Sequence, residues 1–170
     1  MGCSHSNTPH TAPPRNPVAS FGITRLCVAG FWQSFHAGRA RSIAHLIAQK
    51  FPAQYETWFY FDSCTKFYDF TAATFADVTF PAHLKGHSSS PFVWIERSPG
   101  NVIEPVGGRE EFAAWVLSKA ELAADADIKS AASTWSIFDA LHDIKRPLLA
   151  TCGSLPSQGH QQQQPRDVSA

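Results

Sequence analysis

Short apolar, β-rich runs alternate along this chain with segments whose apolar positions fall three and four apart. The first run, ITRLCVAGF (Ile23–Phe31), is mostly apolar without alternation, the pattern of a strand buried on both faces. Ser34 then stands as an N-cap. The segment after it puts Ala40, Ile43, Ile47 and Phe51 on one helical stripe and turns Arg39, Arg41 and Gln49 to water, and Pro52 ends it. YETWFYFD (Tyr55–Asp62) reads as a second strand. Cys64 opens a shorter helix to about Asp77, with Phe67 and Phe70 inward.

The polar loop FPAHLKGHSSSP ends at Pro91 and feeds a third strand, FVWIER (Phe92–Arg97). SPGN turns the chain into a fourth, VIEPV (Val102–Val106), paired with the third as a hairpin. Pro105 assigns that strand to a sheet edge, because proline cannot donate to a ladder. Gly107 and Gly108 break it. REEFAAWVLSKAELA then forms a helix with Phe112, Trp115 and Val116 inward, and with Glu110 and Glu111 in the first turn, where the helix dipole favours acids. One more amphipathic helix is expected over 128–146. Asp125 or Asp127 would cap it, Ile128, Trp135, Phe138 and Leu141 make its stripe, and Pro147 closes it.

The element order β-α-β-α-β-β-α plus one helix predicts an α/β fold, a four-stranded mixed sheet with flanking helices and an extra C-terminal helix. It divides the chain into a tether over 1–20, a domain over 21–122, a helical extension over 123–150 and a polar tail over 151–170. The tail has a short glutamine run and nothing to bury, so it is expected to be disordered.

Composition narrows the function classes. The 170 residues fit one domain with tails, and a hydrophobic fraction of 44% is enough for its core. Fourteen basic and 14 acidic residues cancel, so nucleic acid finds no electrostatic support here. Cys3, Cys27, Cys64 and Cys152 are scattered without a CxxC, which argues against a disulfide framework or zinc ribbon and for a reducing, cytosolic setting. No run approaches the ~20 apolar residues of a membrane span.

The N-terminus carries a different membrane signal. In MGCSHS, removal of Met1 would leave Gly2 as an unhindered α-amine, with Ser6 where the myristoylation motif takes Ser or Thr. Cys3 beside it offers a thioester site for palmitate. One myristoyl chain binds membranes only at about 10⁴ M⁻¹, so a stable anchor needs a second signal. Arg15 is the sole Lys or Arg before Arg25, which makes Cys3 the second signal in preference to charge. Pro9, Pro13, Pro14 and Pro17 keep the following segment extended, as a spacer.

Three local features sharpen the fold. QSFHAG joins the first strand to its helix, Ser89-Ser90-Pro91 stands before the third strand, and Gly107-Gly108 precedes the last core helix. In these features and in element order, residues 23–122 resemble the glutaredoxin branch of the thioredoxin-like superfamily. The resemblance implies a cis peptide bond at Ser90–Pro91. It puts the family's CxxC or CxxS centre on Ser34, Phe35, His36 and Ala37, so serine replaces the nucleophile and thiol exchange is lost at this site. It also implies a glutathione site at Ser34, Ser90, Pro91, Gly107, Gly108, Arg109 and Glu110. Two departures stand against that transfer: the family's lysine before the motif is missing, and its aspartate after Gly-Gly has no clear counterpart.

Other side chains read more plainly. Cys27 belongs to the core, Cys64 is a half-buried residue at a strand end, and Cys152 is exposed without a redox partner. His83 and His87 are solvated loop histidines with no third metal ligand, so no metal site is expected. His36 is a surface residue at the join, with pH sensing or an anionic ligand as its sharper use. Phe31, Trp32 and Phe35 would form an exposed aromatic rim there for a protein partner, unless the last helix covers them. The resulting expectation is a non-catalytic interaction or scaffold domain on the cytosolic face of a membrane, anchored through Gly2 and Cys3. Termini of this kind are similar to those of plasma-membrane and flagellar-membrane proteins. The rival expectation is a glutathione-binding protein, or a glutathione-dependent redox or transferase-like one using Cys64 or Ser34.

Overall fold

Everything in the fold is arranged about one strand. The computed structural model describes residues 22–97 and 102–133. In it β1 (Thr24–Phe31) is buried at every position from Arg25 to Gly30. It pairs in parallel with β2 (Tyr55–Asp62) and antiparallel with β3 (Phe92–Arg97). A hairpin adds β4 (Val102–Gly107), giving the order β2-β1-β3-β4. The chain is therefore α/β with a four-stranded mixed sheet, as the element order predicts. β4 is an edge, which lets Pro105 sit in it without breaking a ladder. Pro105 and Gly107 face the consecutive residues Trp94 and Val93, so Val106 is the extra residue of a bulge.

Parallel pairing of β1 and β2 requires a crossover, and α1 (Phe35–Lys50) supplies it. Ala37, Ala40 and Ala44 let the helix lie close to the sheet, while Ile43 and Ile47 fill the space between. On this face Leu26, Val28, Phe59, Phe61, Val93 and Ile95 complete a largely aliphatic core. The other face is aromatic: Trp58, Tyr60, Phe92 and Trp94 meet Phe67 and Phe70 of α2 (Cys64–Thr74) and Phe75 just beyond it. α2 stops three residues short of the expected Asp77, where Phe75 takes a non-helical conformation.

The C-terminal part differs from expectation. In place of one helix over 109–123 there are α3 (Arg109–Ser118) and α4 (Ala120–Ala124), followed by α5 (Ala126–Ser133). The backbone is extended at Lys119 and again at Asp125. The reason lies in the stripe. A continued helix would carry Phe112 and Val116 on to Lys119, whereas breaking there turns Leu122 into the core. Asp125 then caps α5, its Oδ1 accepting from the N–H groups of Asp127 and Ile128, both at 3.0 Å. Ile128 is buried in the same core. Trp115 is only half-buried, stacked on Phe112 with Lys119 Nζ 5.2 Å from its ring centroid. The rest of the expected 128–146 helix, with Trp135, Phe138, Leu141 and Pro147, lies outside the described residues, as do Gly2, Cys3, Cys152 and the SPGN turn.

Two arginines expected in water are drawn inward. Arg39 donates to the Ala131 carbonyl from both Nε and Nη2, tying α1 to α5. Arg41 lays its guanidinium over Phe59 and Phe61, and partial burial lowers its pKa. At the far end of the domain Lys50 bonds Asp125 and Asp127, and Tyr55 Oη donates to Glu121. Burial, and then the bond to Glu121, push the Tyr55 pKa up to about 12.

The aromatic face also holds a row of charge. Glu56, Arg25 and Glu96 occupy matched positions on β2, β1 and β3. Arg25 bonds Glu56 at 2.6 Å and Glu96 at 3.2 Å, with the side chains of Arg25 and Glu96 each 3% exposed. Trp94 Nε1 donates to the other oxygen of Glu96 at 2.9 Å. Among the described residues no helix is long and apolar enough to cross a membrane.

Candidate functional site

Where β1 ends and α1 begins, the chain makes three tight approaches. Ser34 is the N-cap, its Oγ accepting from the Ala37 N–H at 3.2 Å. The same hydroxyl donates to the Ser90 carbonyl at 3.3 Å. Ser90 answers by accepting the Phe31 N–H on its own Oγ at 2.9 Å. The Ser90–Pro91 bond is cis. Gly30 is the residue that permits this closeness, since a Cβ there would lie 2.6 Å from Ala37 Cβ and 2.7 Å from Ser90 Oγ. The first strand, the first helix and the loop before β3 are thus pinned together by two serines 56 residues apart in the chain.

That arrangement defines what Ser34 can do. Its oxygen accepts a backbone N–H and its proton goes to a backbone carbonyl, so both functions are engaged in holding the loop. A nucleophilic serine needs a base to take that proton, and the group that receives it here is an amide oxygen.

The Gly-Gly turn reaches the same loop from the other side. Gly107 has φ +122°, a left-handed conformation, and a Cβ there would meet Leu84 Cδ2 at 2.9 Å. A Cβ on Gly108 would lie 3.2 Å from the His87 ring, so the turn packs directly on the loop that leads to Ser90. The Gly108 N–H, at the start of α3, donates to the Glu111 carboxylate at 2.9 Å. Arg109 and Glu110 open elsewhere, onto a small crevice shared with Arg39 and Ala131 on the aliphatic side. The structure brings Ser34, Ser90 and Pro91 together, sets Gly107 and Gly108 against the same loop, and puts Arg109 and Glu110 on a different surface.

The aromatic rim is only partly as expected. Trp32 and Phe35 are 49% and 53% exposed, and His36 is exposed beside them. Phe31 is half-buried, its ring edge-on to Phe67 at 5.1 Å and to Tyr68 at 5.9 Å. It points toward α2, because it continues the inward alternation of Cys27 and Ala29. Tyr68 replaces it at the surface, 41% exposed, with its hydroxyl donating to the Ser88 carbonyl at 3.0 Å.

Beside Tyr68 lies a cleft absent from the sequence reading. It has a volume of about 370 Å³ and runs between α2 and the loop before β3, floored by Phe67, Phe75, Phe80 and Phe92. Its signal was the aromatic density of KFYDF together with Phe75 and Phe80, which exceeds what one helix face can bury. His87 belongs to its lip. This histidine is half-buried, 3.1 Å from Ser89 Oγ and packed against Phe92, which corrects the expectation of a solvated side chain. His83 is exposed. Cys64 opens α2, as the helical pattern from Cys64 predicts, but it is exposed where half-burial at a strand end was expected, and Cys27 is fully buried. Among the described residues no group of three or more His, Cys, Asp or Glu could hold a metal ion.

Compared with protein-family models, curated proteins and solved structures, the chain finds no significant match.

Proposed function

We propose that this chain is a thioredoxin-like domain of the glutaredoxin type that has kept the scaffold without its thiol chemistry. It serves as a protein-interaction module, held at the cytosolic face of a membrane by myristate on Gly2 and palmitate on Cys3. The observation that carries the reading is the Ser34–Ser90 latch. At the position where the resembling family keeps a reactive sulfur, this chain has a hydroxyl committed to the backbone before cis-Pro91. Next to the latch stand Trp32 and Phe35, two large side chains spent on the surface. Aromatic residues so exposed are the kind that anchor protein interfaces.

The test is to express the full chain in eukaryotic cells as wild type, Gly2→Ala and Cys3→Ser, with acyl labelling and membrane fractionation. The reading expects membrane-bound wild type, cytosolic Gly2→Ala and weakly bound Cys3→Ser. Three soluble, unlabelled proteins would remove the anchor. For the interaction surface, Trp32→Ala with Phe35→Ala should abolish whatever the wild-type domain captures while leaving its thermal midpoint near wild type.

A second reading, glutathione binding, draws on the meeting of Ser90, His87 and Gly108 at one loop. Against it, the Gly108 N–H that would hold the γ-glutamyl carboxylate is taken by Glu111. Glu111→Ala should then tighten binding measured by calorimetry. An absence of heat, and of shifts at Ser90 and Gly108, in both proteins would retire this reading.

A further inference from the structure

The aromatic cleft has a shape and a chemistry that the interaction reading leaves unused. We infer that the cleft between α2 and the loop before β3 is a docking site for the chain's own N-terminal myristoyl group, so that the acyl chain moves between the domain and the bilayer. This inference rests on the acylation of Gly2 proposed above.

Three observations support it. The first is the cleft itself: its volume of about 370 Å³ is that of a small-ligand site, and its floor is four phenylalanine rings, Phe67, Phe75, Phe80 and Phe92. Hydrocarbon is the ligand such a surface recognises, since it gains burial without needing a polar partner. The second is polarity at the lip, where the Tyr68 hydroxyl meets the Ser88 carbonyl and Ser89 meets His87. A polar lip above an apolar floor matches a fatty amide, whose chain is apolar and whose attached peptide must stay in water.

The third is reach. About twenty residues lie between Gly2 and the described part of the chain, and they can extend to roughly 60–70 Å. The cleft borders Phe31 through Tyr68, at the opposite end of β1 from its start at Thr24. A strand of eight residues is only about 27 Å long. The N-terminus can therefore return along the sheet and seat its acyl group with length to spare. A shorter leader of five or six residues could not.

The consequence is a weak, adjustable anchor. An acyl chain held by the domain is withheld from the membrane, so partition of the singly acylated protein should fall below the ~10⁴ M⁻¹ of a free myristoyl chain. Palmitate on Cys3, or a partner on the Tyr68 edge, would shift the balance toward the bilayer.

To test this, the full chain is co-expressed in bacteria with an N-myristoyltransferase and ¹³C-labelled myristate, and acylation is read by intact mass. Contacts between the labelled chain and the aromatic protons of Phe67, Phe75, Phe80 and Phe92 are then sought by NMR. Partition into phosphatidylcholine vesicles is compared for wild type and two cleft-filling variants at exposed positions, Ala72→Trp and Ser88→Trp. The inference expects myristate–phenylalanine contacts in wild type, their loss in at least one variant, and a severalfold rise in vesicle binding of that variant. Acylated protein with no such contacts, and with equal partition for all three, overturns the inference while leaving the anchor intact. Protein that the transferase does not acylate overturns both.

Discussion

The two faces of the sheet are closed by different means. On the aliphatic face four helical segments, α1 and α3 to α5, press branched and small side chains against Leu26, Val28, Val93 and Ile95. On the aromatic face one 11-residue helix and a loop must cover Trp58, Tyr60, Phe92 and Trp94. Small side chains interdigitate, and alanine lets a helix approach, so the first face is filled. Flat rings stack on one another, as Tyr60 and Phe70 do at a centroid distance of 4.3 Å, but they leave a wedge of space where the stack ends. The cleft at Tyr68 is that wedge. The difference teaches that in this domain the less covered face is the one with room for a ligand.

The largest way to break the contrast is through the charge row, which the aromatic face holds and the aliphatic core, among the described residues, lacks. Arg25→Ala takes the guanidinium from the Glu96 carboxylate while the carboxylate stays buried, at a cost of about 3–5 kcal/mol. Urea unfolding should show it, and a loss under 1 kcal/mol would mean that water reaches the row. A second comparison sets the filled core against the cleft floor. Ile47→Ala on the filled face should cost about 3 kcal/mol, in the usual range for buried branched side chains, and Phe80→Ala on the floor of the cleft about 1 kcal/mol because its ring is only partly buried. Equal losses would mean that the cleft is closed in solution.

The latch joins the two faces, and Gly30→Ala tests it. The added methyl must displace Ala37 or Ser90, at a cost of about 1–3 kcal/mol, and the amide signals of Phe31 and Ser34 should move with it. The smallest effect belongs to pH. Tyr55 holds its proton more tightly when folded, so its contribution is complete below the ordinary tyrosine pKa of about 10 and is lost as pH rises toward its folded value of about 12. Tyr55→Phe should flatten the stability curve in that window, and at neutral pH it should leave the slope unchanged and cost only the hydrogen bond to Glu121, about 1 kcal/mol.

Local chemistry alone determined the element order, the doubly buried β1, the edge position of Pro105 and the Ser34 cap. Each follows from side-chain periodicity or from what a residue's own backbone can do. The break at Lys119 was not legible, because α3 and α4 both read as good helix, and only the position of the core decides that Leu122 must turn inward. The burial of Arg39 and Arg41 was equally hidden, since a long cationic stem lies on apolar surface wherever the fold offers one. Phe31, Trp32 and Phe35 looked alike as a sequence, and the alternation of β1 against α2 separated the half-buried ring from the exposed pair. The latch needed the chain to bring Ser34 beside Ser90, and the cleft needed α2 and the loop before β3 to meet at an angle their rings cannot fill. Composition sets which surfaces must be buried. The meeting of distant segments decides how completely they are, and what remains open for a ligand.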